Sequence, residues 1–250
     1  MNEEEIRAGL DEHNQQLVAY IEEIIPVKFT LWDRDYYECH VHKNNGILVE
    51  AEIKCKEPIC QAKIAHELLH AKISVDLGDI GIMFTVENRN AFFDAMMADE
   101  SASKINNACE HLMSFPEYIE MGYDEKEFFE EAADLEARLV ELDYLYNHGL
   151  KTDGHFESKK VFSYLSLLFS FLFYPNEKTF AREVKKLRKI NVPLFVILNK
   201  LRFDCKDLDI NPENRGFIQE AYWKYAKSIN KWFEVAFKGA VIVKTEDGTV

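Results

Sequence analysis

Residues 47–73 read ILVEAEIKCKEPICQAKIAHELLHAKI, and the fold turns on what changes in the middle of them. The first nine, ILVEAEIKC, are strand-like. Pro58 then suits the first turn of a helix. Ile64, Ala65, Leu68, Leu69 and Ile73 follow as the apolar positions of a helix that should run to about Val75. A strand feeding a helix is therefore the unit from which the rest is read.

Upstream, VKFTLW and YYECHVH are two further strand-like runs. Asn45-Gly46 between the last two strands tolerates positive φ at both positions and predicts an antiparallel hairpin over about 36–55. Before them, Ile6, Leu10, Leu17, Ile21 and Ile24 recur at helical spacing over about 3–24, ended by Pro26. Downstream, Leu77-Gly78-Asp79 and Gly81 turn the chain, and 80–86 suits a short strand. From about residue 90 the pattern is helical. Asn90 caps a helix to Ser114, Pro116 punctuates it, and Gly122-Tyr123-Asp124 ends the next piece. Helices are expected at about 125–147, 158–173, 177–189, 193–203 and 212–237, with a late strand or a loose end over 240–250. The expected fold is a single α+β domain over 1–250, mostly helical. A small sheet containing an antiparallel pair packs on the helix of residues 58–75, and a helical half follows from about 125.

The chain has 250 residues, 47% hydrophobic and 30% charged, enough for a sizeable core. A net charge of −14 argues against a nucleic-acid partner, which needs a basic stripe. Cys39, Cys55, Cys60, Cys109 and Cys205 are scattered and form no CxxC. They read as reduced thiols of a cytoplasmic protein, not as a disulfide framework or a cysteine-based zinc site. The opening MNEEEIRAGL is acidic where a secretion signal is basic and then apolar. The most apolar run, VFSYLSLLFSFLFY at 161–174, is shorter than the roughly 20 residues that span a bilayer. It reads as a buried helix, and no membrane partner is expected.

Within the helix expected from Pro58 to about Val75 lies His66-Glu67-Leu68-Leu69-His70, an HExxH pattern. Residues four apart share a helix face, so both imidazoles can address one Zn²⁺. Glu67 is turned about 100° from His66. It can take a proton from an attacking water and deliver it to the leaving amine without being a ligand. Leu68 and Leu69 place the two imidazoles at the edge of the core rather than on a solvated face.

A strand–strand–helix order with IAHELLHAKI on the helix resembles the zincin-like metallopeptidases, over about the first half of the chain (1–124). The resemblance implies a zinc-dependent hydrolase of peptide bonds, with a peptide or protein substrate. It implies His66 and His70 as metal ligands and Glu67 as general base. Families of this kind differ in their third ligand. The pattern HExxHxxGxxH is not followed: Ile73 stands for the glycine, and Asp76 lies where the last histidine falls. An unbroken helix should carry Asp76 away from the pair. On the next helix, Ile105, Ala108, Cys109 and Leu112 form the apolar stripe, with Glu110 and His111 on its two shoulders. Helical phase does not choose between them. A glutamate from a later helix, as in gluzincins, implies Glu110. The run from His111 to Gly122-Tyr123-Asp124 resembles uncharacterised HExxH proteins of bacteria and phages, which implies His111.

Asp94, Asp99 and Glu100 are candidates for orienting the ligand imidazoles, and Tyr123 for stabilising an oxyanion. His40 and His42 share one face of a strand and read as exposed polar residues of the hairpin, and the edge of that strand could take an extended peptide. His148 and His155 bracket a glycine-containing loop. Tyr222, Trp223, Tyr225, Trp232 and Phe233 read as core. The rival function is a non-catalytic, partner-binding protein whose HExxH site is structural or degenerate.

Overall fold

Asn2 and Asp11 each cap a helix, and this divides the N-terminal segment in two. The computed structural model describes residues 1–78, 91–98, 101–128, 135–206 and 208–238. In place of one helix over 3–24 it has α1 (Glu3–Ala8) and α2 (Glu12–Glu22). Asn2 Oδ1 accepts from Glu5 N–H at 2.9 Å while Glu5 reaches back to Asn2 N–H at 2.8 Å, a capping box. Gly9 closes α1, and Asp11 Oδ1 then accepts from Asn14 N–H at 2.9 Å to start α2.

The chain forms two compact units interleaved along the sequence. The first comprises Met1–Ile80, Met113–Glu131 and Asp209–Arg215; the second comprises Gly81–Leu112, Ala132–Leu208 and Gly216–Val250.

In the first unit, β1 (Val27–Leu31), β2 (Glu38–Asn44) and β3 (Ile47–Cys55) make a sheet of order β1-β3-β2. β1 runs parallel and β2 antiparallel to the central β3. The hairpin turn has Asn45 and Gly46 at φ 50 and 79°, the left-handed pair that the Asn-Gly signal predicts. Ala51, Ile53 and Cys55 alternate inward from β3 and are fully buried, beside Val27 and Phe29 of β1. They pack with Leu17 and Ile21 of α2 and with Ile64, Ala65 and Leu68 of α3 (Gln61–Leu77).

α3 begins at Gln61 rather than at Pro58, because the Tyr37 hydroxyl holds the approach. It donates toward the Lys56 carbonyl at 3.0 Å and accepts from Cys60 N–H at 2.9 Å. α3 ends at Gly78, whose φ of 72° is left-handed.

α4 (Ala91–Ala98) precedes α5 (Ser101–Glu120). α5 passes through Pro116, where an interruption is expected. An interior proline costs about 3 kcal/mol. Buried residues on both sides of it, Leu112 and Met113 before and Tyr118 after, hold the two arms of the helix against their neighbours. The helix expected over 125–147 is described as α6 (Glu125–Phe128) and α7 (Leu135–His148). The expected strand at 80–86, the Asn90 cap and the late strand of 240–250 lie outside the described residues.

The second unit also contains α8 (Ser158–Phe171), α9 (Ala181–Ile190), α10 (Val192–Lys206) and, from Gly216 onward, α11 (Arg215–Ala236). The apolar run of 161–174 is α8 and its end. Val161, Tyr164, Leu165 and Leu168 are fully buried, and the Tyr164 hydroxyl donates to the Leu187 carbonyl at 2.9 Å. No helix among the described residues is long and apolar enough to cross a membrane. Tyr222, Tyr225 and Phe233 of α11 are buried, whereas Trp223 is exposed. β4 (Lys151–Thr152) and β5 (His155–Phe156) form a small hairpin where a loop is expected, turned by Asp153-Gly154 at φ 51 and 84°.

Candidate metal centre

α3 places His66 and His70 one turn apart, with Nε2 of each facing the other at 3.0 Å and ring centroids 4.9 Å apart. Leu68 and Leu69 of the same turn are fully buried, which fixes the rotation of the helix and leaves both imidazoles half-buried. Burial first, and the neighbouring His70 second, hold the His66 imidazole well below its ordinary pKa, against a hydrogen bond to the Phe128 backbone that raises it. A neutral imidazole is the form that ligates a metal.

His111 stands on α5, and the turn that carries it continues directly into the Met113–Glu120 part of the helix. Its ligand nitrogen completes a group with those of His66 and His70, all within 4.8 Å of one another. Bonds of about 2.0–2.1 Å at a tetrahedral zinc set its nitrogens about 3.4 Å apart. The His66–His70 separation already approximates that value, and no pair in the group exceeds it by more than about 1.4 Å. Three imidazoles suit zinc and other borderline divalent metals, so the residues fit such an ion. Among the described residues no other group of histidine, cysteine, aspartate and glutamate has this spacing.

The other candidates are placed as follows. Glu110, on the other shoulder of α5, belongs to the surroundings of the buried Tyr222 phenol in the second unit. There burial, Cys109, Cys205 and Glu110 all push that phenol up. Glu67 is half-buried and lies toward the sheet, where burial, and then its charge, push the Cys55 thiol up to about 12. It is thus rotated off the ligand face but beside it.

Asp76 is buried in a separate arrangement. It accepts from the Tyr20 hydroxyl at 2.6 Å and pairs with Lys72 at 3.5 Å, and Lys72 also reaches Glu117 at 3.2 Å. The bond to Asp76 is the largest cause of a Tyr20 phenol pushed up to about 12.

The Tyr123 hydroxyl donates to Asp11 Oδ2 at 2.7 Å and accepts from Asn14 Nδ2 at 3.2 Å. Burial and the Asp11 bond push its phenol well up. To serve as an oxyanion donor it must first release Asp11. Asp94 is exposed on α4, and Asp99 and Glu100 lie outside the described residues. His40 pairs with Glu38 at 2.7 Å and His42 approaches Glu52 at 3.6 Å, both partly exposed on the hairpin. His148 stacks on Tyr144 with centroids 4.4 Å apart, and His155 lies on β5.

The sequence shows one residue of the site only as an inner apolar position of the helix expected over 125–147. Phe128 of α6 lies against the His66 ring at 4.4 Å and is itself held by Tyr118 at 4.7 Å and Phe115 at 5.3 Å. Its ring forms an aromatic wall and its backbone a hydrogen-bond partner for the same imidazole. Only its place on the inner side of a predicted helix is readable, because the contact joins residues 62 positions apart.

Comparison of the chain with family models, with curated proteins and with solved structures finds no match.

Proposed function

We propose that the protein is a zinc-dependent hydrolase of peptide bonds, belonging with the zincin-like metallopeptidases. The observation that supports this most is the convergence of three imidazoles from two helices, with Glu67 next to one of them on the edge of the ligand face. His66, His70 and His111 would hold the ion. A bound zinc supplies Lewis acidity, which polarises a carbonyl and makes water acidic at neutral pH.

The remaining chemistry belongs to the chain. Phe128 keeps the His66 ring in place through its ring and its backbone. Glu67 takes the proton of the attacking water and returns it to the leaving amine. The half-burial of the three histidines limits the water that competes with that transfer.

The test is Glu67→Gln. An enzyme keeps its metal and loses turnover of a peptide library by about 10²-fold or more. If Glu67→Gln and the parent protein leave the library equally untouched while both bind metal, the site is structural and the hydrolase reading fails.

A further inference from the structure

The second unit carries two helix faces of opposite charge side by side. In a chain of net charge −14, residues 178–189 hold Lys178, Arg182, Lys185, Lys186, Arg188 and Lys189 against a single acid, Glu183. On α9 the inward residue Leu187 is fully buried, and Arg182, Lys185, Arg188 and Lys189 are all exposed at i, i+3, i+6 and i+7. None of these four has an acidic partner within ion-pair distance among the described residues. Lys186 turns sideways to pair with Asp143 of α7, and the Lys189 ammonium lies 6.0 Å from the centre of the Tyr146 ring on the same helix. The neighbouring α7 presents the complement. Glu136, Ala137, Val140, Glu141 and Tyr144 line a shallow depression along its outer face, with Val140 66% and Tyr144 48% exposed.

We propose that this pair of faces is the interface of a two-fold dimer, α7 of one copy lying on α9 of the other. Three observations favour a second copy over other occupants. The faces are complementary in charge, and because α7 and α9 pack side by side, a two-fold axis brings each acidic face onto a basic one twice. The exposed Val140 and Tyr144 are apolar surface that such a contact covers. A nucleic acid drawn to α9 would meet Glu136 and Glu141 next to it.

The size of the faces sets the strength. α7 has 14 residues and α9 has 10, about 21 and 15 Å of helix at 1.5 Å per residue. At a helix width of about 10 Å that is about 360 Å² per copy, less than half of the roughly 800 Å² per partner of a standard interface. The dimer is therefore weak, concentration-dependent and salt-sensitive.

The test is sedimentation velocity of the full chain from about 1 to about 100 μM, at about 0.05 and about 0.5 M salt. The expected result is a species of twice the chain mass that is lost on dilution and in high salt. Glu136→Lys with Glu141→Lys makes both faces basic, and Lys185→Glu, Arg188→Glu and Lys189→Glu together leave only Arg182 on the α9 face and make both acidic. Each charge-reversed variant alone is expected to be monomeric, and an equimolar mixture of the two to recover the dimer. Glu136, Lys185, Arg188 and Lys189 are exposed and Glu141 is half-buried, and circular dichroism checks that each variant is folded. Val140→Arg, expected to be monomeric, serves if a charge-reversed variant is not. A parent protein that stays monomeric across the range, a dimer indifferent to these substitutions, or a mixture that fails to associate would each overturn the proposal. So would a monomer that binds duplex DNA through α9.

Discussion

Replacing Phe128 with alanine removes a ring that the metal centre and the core of the first unit share. Phe128 is 3% exposed, and it touches His66, Tyr118 and Phe115 with centroids 4.4, 4.7 and 5.3 Å away. Truncating a buried phenylalanine costs about 3–5 kcal/mol, the loss of its transfer energy together with the cavity left behind. The edge-on contacts to Tyr118 and Phe115 place it in the upper part of that range, since each aromatic pair adds about 0.5–1.5 kcal/mol to area burial. Domains of this kind are stable by about 5–15 kcal/mol, so the variant should fold with a clearly lowered denaturation midpoint. Urea unfolding of the metal-free forms, stripped with chelator, isolates this term from any metal contribution. The second effect is local. With the wall gone the His66 imidazole gains rotational freedom, and loss of such a support weakens metal binding by about 10–100-fold. Phe128→Leu, which refills most of the space, should recover most of the stability. A Phe128→Ala protein destabilised by less than about 1 kcal/mol, or one that takes up zinc with unchanged affinity, would refute the reasoning.

Two further outcomes follow from buried groups in both units. Lys206 first, and Arg202 second, hold the Glu177 carboxyl down at about 2, and the Arg202 side chain is 5% exposed. Because the folded-state value is depressed, the stabilisation is complete above the unfolded value of about 4.5 and fades as the pH falls toward 2. Glu177→Gln should therefore be less stable than the parent at neutral pH, with the difference closing in acid. Denaturation midpoints at pH 7 and pH 2.5 measure this. Cys55, Cys109 and Cys205 are buried, whereas Cys39 and Cys60 are half-buried. A thiol reagent at neutral pH should modify no more than those two half-buried cysteines until denaturant is added; rapid modification of the others would contradict the packing.

The parts legible in sequence are those whose cause is local. The HExxH pair needs only the pitch of one helix, and the first hairpin needs only Asn45-Gly46. The same turn chemistry at Asp153-Gly154 is less visible because its strands are two residues each, too short to show a pattern. The break between α1 and α2 rests on Asp11, a capping residue inside a continuous apolar repeat; the repeat outweighs the cap on paper but not in the folded chain. Pro116 shows the reverse, a local breaker overridden by the burial of Leu112, Met113 and Tyr118 around it. Helical phase alone leaves Glu110 and His111 equivalent. Their difference arises from which neighbours α5 meets on each side, and no single segment contains that information. Phe128 is invisible for the same reason.

In the proposed function His66, His70 and His111 would hold one zinc. Four-ligand zinc sites in small domains bind with about 10–16 kcal/mol, or about 2.5–4 kcal/mol per ligand, which is two to three orders of magnitude in affinity. The direct measurement is zinc affinity by competition with a chromophoric chelator at neutral pH, on the parent protein, His111→Ala and Glu110→Ala. The account predicts one zinc per chain, a 10²–10³-fold loss for His111→Ala, and no change for Glu110→Ala. A parent protein that takes up no zinc, or a loss in Glu110→Ala with none in His111→Ala, would contradict it.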